Sequence, residues 1–233
     1  MESLGLALAM ITSGDPYLWD IIALSMNVSL TALLIATLIG LPLGAVLASQ
    51  RFPGRQAVIG LINTMMGLPP VVVGLFVYMT ISNSGPLGVL QLLYTPTAMI
   101  IAQTILIMPI IAALSRQTLE LLAREYDQQF TLLGLGALAR IRALIIDGRF
   151  ELATVVLAGF GRATAEVGAV IIVGGNIDHY TRVLTTAITL ETSRGNLAAA
   201  MALGIVLLSL SLLINLLVVM VRRWGESRYG YID

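Results

Sequence analysis

The sequence of 233 residues has no cysteine, no lysine and a single histidine, His179. Without cysteine there is no disulfide, no thiolate nucleophile and no Cys-based metal site, and the redox compartment cannot be read from thiol usage. Without lysine a Walker A loop ending in Gly-Lys-Ser/Thr cannot exist, so the chain is not a P-loop ATPase. Lysine Schiff-base chemistry is excluded on the same ground. One histidine leaves no His cluster to hold zinc. Charge is scarce as well: 11% of residues are charged, against about a quarter in soluble domains. Thirteen basic residues, all arginine, balance thirteen acidic ones, so no basic field is available to hold a nucleic acid. An enzyme is not expected, and no catalytic residue, cofactor or metal is assigned to the chain.

What is abundant is apolar surface: 58% of residues are hydrophobic and the mean hydropathy is +0.93. The apolar runs are long enough to cross a hydrocarbon core of about 30 Å, which takes about 20 helical residues. Five spans are expected, near residues 21–48, 57–82, 97–114, 152–173 and 197–221. The fold class is therefore an all-α polytopic membrane protein, read as one domain without the internal duplication of many secondary transporters. The stretch before the first span lacks the basic n-region of a signal peptide and breaks at Gly14, Asp15 and Pro16, so it is expected to be retained.

Arginine orients the spans. Arg51 and Arg55 lie in the first connection, Arg116, Arg124, Arg140, Arg142 and Arg149 around the third, and Arg222, Arg223 and Arg228 in the tail. The connection 83–96 has none, and 174–196 has Arg182 and Arg194 alone. The positive-inside bias then places the N-terminus outside and the C-terminus inside, with residues 115–150 in the cytoplasm. That connection is far longer than a helix bundle needs. It is amphipathic and basic, is interrupted by Gly134 and Gly136, and is expected to expose Phe130, Leu132 and Leu133. A short helix pressed into a groove on a cytoplasmic partner, or one lying among lipid headgroups, fits this pattern equally well.

Elsewhere, polar and helix-breaking residues interrupt the spans. Arg162 and Glu166 are four apart in the fourth span and share a helix face. An arginine at that depth needs protein or water, and Glu166 is the nearest neutralising partner. The pair either fixes helix rotation or lines an anion path. Gly159, Gly161 and Gly168 with Ala158, Ala163, Ala165 and Ala169 give the same span a small-residue face suited to close packing. Pro69 and Pro70 remove two backbone donors and restrict Leu68, so the second span should kink or break there, either as a fixed bend or as a moving gate between Met65, Gly67 and Gly74. Gly174, Gly175 and Asn176 end the fourth span, and the threonine-rich segment 181–192, including Thr185 and Thr186, reads as a short helix folded back at the bilayer edge. Asp178 and His179 alone are too few ligands for a metal.

Three segments carry a family resemblance. Residues 115–150 are similar to the cytoplasmic loop of ABC-importer permeases, whose loose pattern is Glu-Ala-Ala, three residues, Gly, and nine residues to Ile-x-Leu-Pro. Alignment on Gly134 puts Gln128, Gln129 and Phe130 at the Glu-Ala-Ala positions and Asp147 at the proline. LAGFGRATAEVGAVIIVGGNI with TRVLTTAITLETSRG, and MMGLPPVVVGLFVY from Met65 to Tyr78, resemble the tungstate-type permeases, relatives of the molybdate and sulfate permeases. The resemblance covers about residues 27–221. It implies an ABC-importer permease fold in the inner membrane of a prokaryote, working as a homodimer with two cytoplasmic ATPase subunits, which would hold ATP and Mg, and an extracytoplasmic solute-binding protein. It implies as cargo a tetrahedral oxyanion, tungstate or molybdate, with sulfate or phosphate as alternatives. It also implies that Gln128, Gln129, Phe130, Leu132, Leu133 and Gly134 couple to the ATPase, and that Met65, Gly67, Pro69, Pro70, Arg162, Glu166, Asn176, Thr185 and Thr186 line or gate the path. A membrane scaffold protein would share the five spans and the amphipathic loop. A membrane-embedded hydrolase fits less well, since Asp147 lacks an evident partner.

Overall fold

The computed structural model describes residues 16–229, with side chains described to residue 220. The expected retention of the N-terminal stretch and the side chains of Arg222, Arg223 and Arg228 lie outside the described residues. Among the described residues all regular structure is helical: α1 (Pro16–Ser49), α2 (Arg55–Met66), α3 (Pro70–Ile81), a single 3₁₀ turn (Gly88–Leu90), α4 (Pro96–Glu125), α5 (Asp127–Leu132), α6 (Ala137–Asp147), α7 (Arg149–Thr164), α8 (Gly168–Gly174), α9 (Leu184–Ser193) and α10 (Leu197–Tyr229). Three helices are long and apolar enough to cross a membrane alone: Pro16–Ser49, Pro96–Glu125 and the stretch Leu197–Met220 of α10. Five spans result if each of two bent pairs, α2 with α3 and α7 with α8, counts as one.

The second span is broken rather than kinked, by 102°. Pro69 sits before α3 in an extended conformation and Pro70 occupies its first position, where a missing N–H costs nothing. Neither residue can donate back to α2, which ends at Gly67 through bonds to Thr64 and Met65 carbonyls. The fourth span differs from the continuous helix expected over 152–173. It breaks by 56° between Thr164 and Gly168, with no proline in the break. The third helix also runs on to Glu125, so residues 115–125 extend it instead of forming loop.

Two compact units partition the chain. The first takes in Pro69–Thr104, Gly161–Asn215 and the described residues up to Ala32; the second takes in Leu33–Leu68, Ile105–Phe160 and the residues from Leu216 onward. The core of the first unit gathers Leu18, Ile21, Leu184, Ala187, Leu203 and Val206, with Tyr17 and Leu207 packed at its edge. Alongside, α3 lies against α8 so closely that a Cβ on Gly74 would sit 2.8 Å from the Ala169 Cα. Such approach supplies the dispersion contacts that hold helices together where lipid offers no hydrophobic drive.

In the second unit, Leu47, Ile59, Ile62, Ala112 and Ala113 form the core, with Leu43, Val58 and Met108 around it. Here α1 crosses α4 at Gly44, where an added Cβ would fall 2.0 Å from the Ser115 Oγ and 2.7 Å from the Ala112 carbonyl oxygen. The neighbouring atoms are largely backbone, so the contact cannot relax cheaply. Gly44→Leu is therefore expected to prevent assembly, read as loss of the monodisperse detergent-solubilised peak, whereas Gly60→Leu, where nothing lies within 4 Å, should leave that peak unchanged.

Of the small-residue face expected on the fourth span, Gly159 meets Leu33 and Ile111 side chains, and Gly168 meets Val71. Ala163 and Ala169 are buried. Ala158, Gly161 and Ala165 are exposed instead, and a Cβ on Gly161 would meet nothing within 4 Å.

Candidate functional site: a broken span and a pinned segment

The break in the fourth span is held by side chains from two other parts of the first unit. Interrupting a helix frees backbone groups that must find partners away from water. The Ala163 carbonyl accepts from the Gln103 Nε2 of α4 at 3.2 Å, and the Glu166 carbonyl accepts from the Thr185 Oγ1 of α9 at 2.9 Å. Glu166 lies inside the break. Its Oε1 accepts from the Ala169 N–H at 2.9 Å, in the first turn of α8, and its Oε2 accepts from Arg162 Nη1 at 2.6 Å. The carboxylate is nearly sealed, at 2% side-chain exposure, while the Arg162 side chain keeps 30%. The expected pair thus forms, but across a break and not along one helix face. One member is committed to protein and the other reaches partly outward.

A cavity of about 10 Å³ adjoins this break, lined by polar groups of Ser25, Ser29, Gln103, Thr164, Glu166 and Thr185. That is close to the smallest space that holds one water. The Gln103 Oε1 is buried without a partner, and Ser25 Oγ accepts from the Leu184 N–H at 2.8 Å, closing the start of α9. Thr186 closes the same end, with its Oγ1 accepting from the Val183 N–H at 3.1 Å. Asn176, in the left-handed region at φ 50°, donates to the Thr186 carbonyl at 3.5 Å.

The structure therefore brings Arg162, Glu166 and Thr185 together, and Asn176 with Thr186. Pro70 joins the same unit: a Cβ on Gly168 would stand 3.6 Å from Pro70 Cβ, so α3 and α8, the second halves of both broken spans, begin side by side. Pro69 is exposed just before α3. Met65 and Gly67 fall in the second unit, at the end of α2. Gln103 and Ser25 had no signature in the sequence, being single polar residues in apolar helices.

Beyond α8 the connection is tied to the start of α1. Tyr17 donates to Asp178 Oδ1 at 2.8 Å, and Arg182 Nη1 donates to the same oxygen at 2.7 Å and to the Tyr17 hydroxyl. The Tyr17 hydrogen bond holds the Asp178 carboxyl below the usual carboxylate range, helped by Arg182 nearby. His179 stacks edge-on against Tyr17 at 5.0 Å, and among the described residues no group of three His, Asp or Glu could hold a metal.

The segment after α4 has its own organisation. Gly134, at φ 62°, lets α5 close in a Schellman arrangement, with Leu135 N–H bonded to the Phe130 carbonyl at 3.0 Å and Gly134 N–H to the Thr131 carbonyl at 3.1 Å. Arg140 pins the turn. It donates to the Leu135 carbonyl at 3.0 Å and to Thr131 Oγ1 at 3.4 Å, pairs with Asp127 at 3.5 Å and covers the Phe130 ring at 5.8 Å. Phe130 is not exposed as expected: it is buried at 7%, because Tyr126, one turn back, meets it edge-on at 5.7 Å while Arg140 closes the other side. The apolar groups left outward are Leu132 at 87%, Leu133 at 71% and, unforeseen in the sequence, Leu138 at 80%. Gln128, Gln129 and Gly134 are exposed beside them.

Two broken spans, an ion pair whose carboxylate is sealed inside one break, and a pinned segment presenting leucines are features that suit a membrane transport component. The chain belongs to the family of binding-protein-dependent transport system inner membrane components, whose pattern it matches over residues 40–230. It is 42% identical over 214 residues, covering 92% of this chain and 94% of the relative, to the tungstate uptake system permease protein TupB of Peptoclostridium acidaminophilum. It is 40% identical over 220 residues, covering 92% and 94%, to a probable anion ABC transporter permease protein of Haloferax volcanii. The sulfate transport system permease protein CysT of Salmonella typhimurium is 28% identical over 215 residues, covering 84% and 76%. The chain is thus a multi-pass ABC transporter permease of the inner membrane, and its relatives are transport subunits, not enzymes.

Proposed function

We propose that the chain is the permease of a tungstate importer, forming a homodimer that moves the oxyanion inward by alternating access. The observation that carries the reading is similarity along 92% of the chain to a tungstate uptake permease, joined to the unusual break at Arg162, Glu166 and Thr185. Molybdate, a nearly isosteric dianion, would pass the same route. The solute-binding protein on the outer side would select between them. Two ATPase subunits, holding ATP and Mg, would dock on residues 127–138 inside the cell, since no P-loop exists on this chain.

The exposed small residues Gly161 and Ala165 flank Arg162 on the uncovered side of the fourth span. In a dimer this side would face the second copy and the path. Arg162, neutralised by Glu166 behind it, would offer a donor without a deep anion trap, which suits a route that must release its cargo.

Orientation is testable because the chain has no cysteine. Ser84 and Gln56 are both exposed. Single cysteines there should label from opposite faces in intact cells, Ser84→Cys from outside and Gln56→Cys after permeabilisation. Labelling of both from one side would overturn the proposed topology.

A further inference from the structure

A cluster of arginines lies away from the two breaks, in a cavity of about 540 Å³ lined by Ala48, Ser49, Gln50, Arg51, Arg55, Gln56, Glu120, Ala123, Arg124 and Asp127. Its carboxylates are already committed. Glu120 accepts from Arg116 at 2.5 Å and pairs with Arg124 at 3.3 Å and Arg55 at 3.6 Å. Asp127 pairs with Arg140 at 3.5 Å. Arg51 is left with no partner among the described residues, and Arg124 keeps 77% of its side chain exposed. The first turn of α2, which has no side-chain cap, opens on the same space through Gln56. Excess positive charge in an open, polar cavity calls for an anion with several acceptor oxygens.

The place of the cavity in the chain narrows the anion. It sits where α1 leaves its apolar stretch, at Ala48 and Ser49, and where α4 passes from apolar to charged sequence, which is headgroup depth for a spanning helix. Phe52 and Leu121, next in sequence to Arg51 and Glu120, are exposed and offer apolar surface to an acyl chain. We infer that this cavity binds the phosphate of an anionic phospholipid headgroup through Arg51 and Arg124, in the inner leaflet. The inference rests on the proposed orientation only for the choice of leaflet, because both faces of a nanodisc are accessible; the cysteine labelling above tests orientation separately.

The test uses the permease with its ATPase in nanodiscs of phosphatidylcholine doped with phosphatidylglycerol, with bound lipids counted by native mass spectrometry. Arg51→Gln/Arg124→Gln leaves Glu120 paired with Arg55 and Arg116, so folding should persist, as judged by an unchanged elution profile. The wild type should retain phosphatidylglycerol over phosphatidylcholine, and the double variant should lose about tenfold or more of that preference. Equal retention of both lipids by the wild type, or an undiminished preference in the folded double variant, would overturn the inference. Inorganic phosphate binding more tightly than phosphatidylglycerol in neutral discs would assign the site to a free oxyanion and overturn the lipid assignment. Retention of the lipid by the permease alone but not by the permease–ATPase complex would do the same in favour of a protein contact. If the double variant does not elute as folded, Arg51→Gln alone, which breaks no ion pair, carries the comparison and should lose part of the preference; no loss there would overturn the inference.

Discussion

Replacing Leu133 with glutamate is expected to release the ATPase while the permease stays folded and keeps the dimeric state proposed for it. Leu133 follows α5 at 71% exposure, beside Leu132 at 87% and Leu138 at 80%, and none of the three contributes to a core that the substitution could damage. Full burial of a leucine contributes about 1.5–3 kcal/mol, so loss of one contact weakens association by roughly 10- to 150-fold before the cost of burying the new charge. Leu132→Glu and Leu138→Glu should act alike. Arg140→Ala should weaken the ATPase by a different route, since it frees Asp127, Thr131 and the Leu135 carbonyl without touching the leucines. Co-purification in detergent and in membranes separates the alternatives: leucines resting among headgroups would tolerate the glutamates with ATPase association intact.

The second large effect is expected at the broken fourth span, and it should be asymmetric. Removing one partner of a buried pair destabilises by about 3–5 kcal/mol, while removing both is often nearly neutral. Arg162→Met strands a carboxylate that is 2% exposed, although the Ala169 N–H still reaches it. Glu166→Gln strands an arginine that keeps 30% exposure, and the new amide oxygen can still accept from Ala169. Arg162→Met should therefore impair dimer stability more than Glu166→Gln, and the double variant should recover most of the loss. Uptake should not recover with it if Arg162 faces the path as proposed. Full recovery of both stability and uptake would make the pair purely structural. Silence of both single variants would show that water, not protein, solvates the two charges.

The spans were legible because apolar runs and arginine-bearing connections are properties of contiguous sequence. The break at Pro69 and Pro70 was legible for the same reason, since proline carries its own missing donor. The break after Thr164 was not. It is held by Gln103 and Thr185, residues 60 and 19 positions from their backbone partners, and by Glu166 bonding the Ala169 N–H, an acidic residue two positions ahead of a glycine-led helix. Only that last feature left a trace in the sequence. Phe130 was misjudged for a related reason. Tyr126 at i−4 was a visible partner, but the cover from Arg140 depends on the turn at Gly134, and the same turn leaves Leu138 outward. Local chemistry located the segment; the path of the chain decided which of its apolar residues stayed available.

Uptake in proteoliposomes tests the central claim most directly. The permease would be reconstituted with its ATPase and ATP trapped inside, and the solute-binding protein and radiolabelled tungstate supplied outside. Tungstate should accumulate only with ATP, binding protein and permease all present, molybdate should compete, and Leu133→Glu should abolish accumulation without loss of the permease from the membrane. Accumulation without ATP, or none with every component present and assembled, would contradict the assignment.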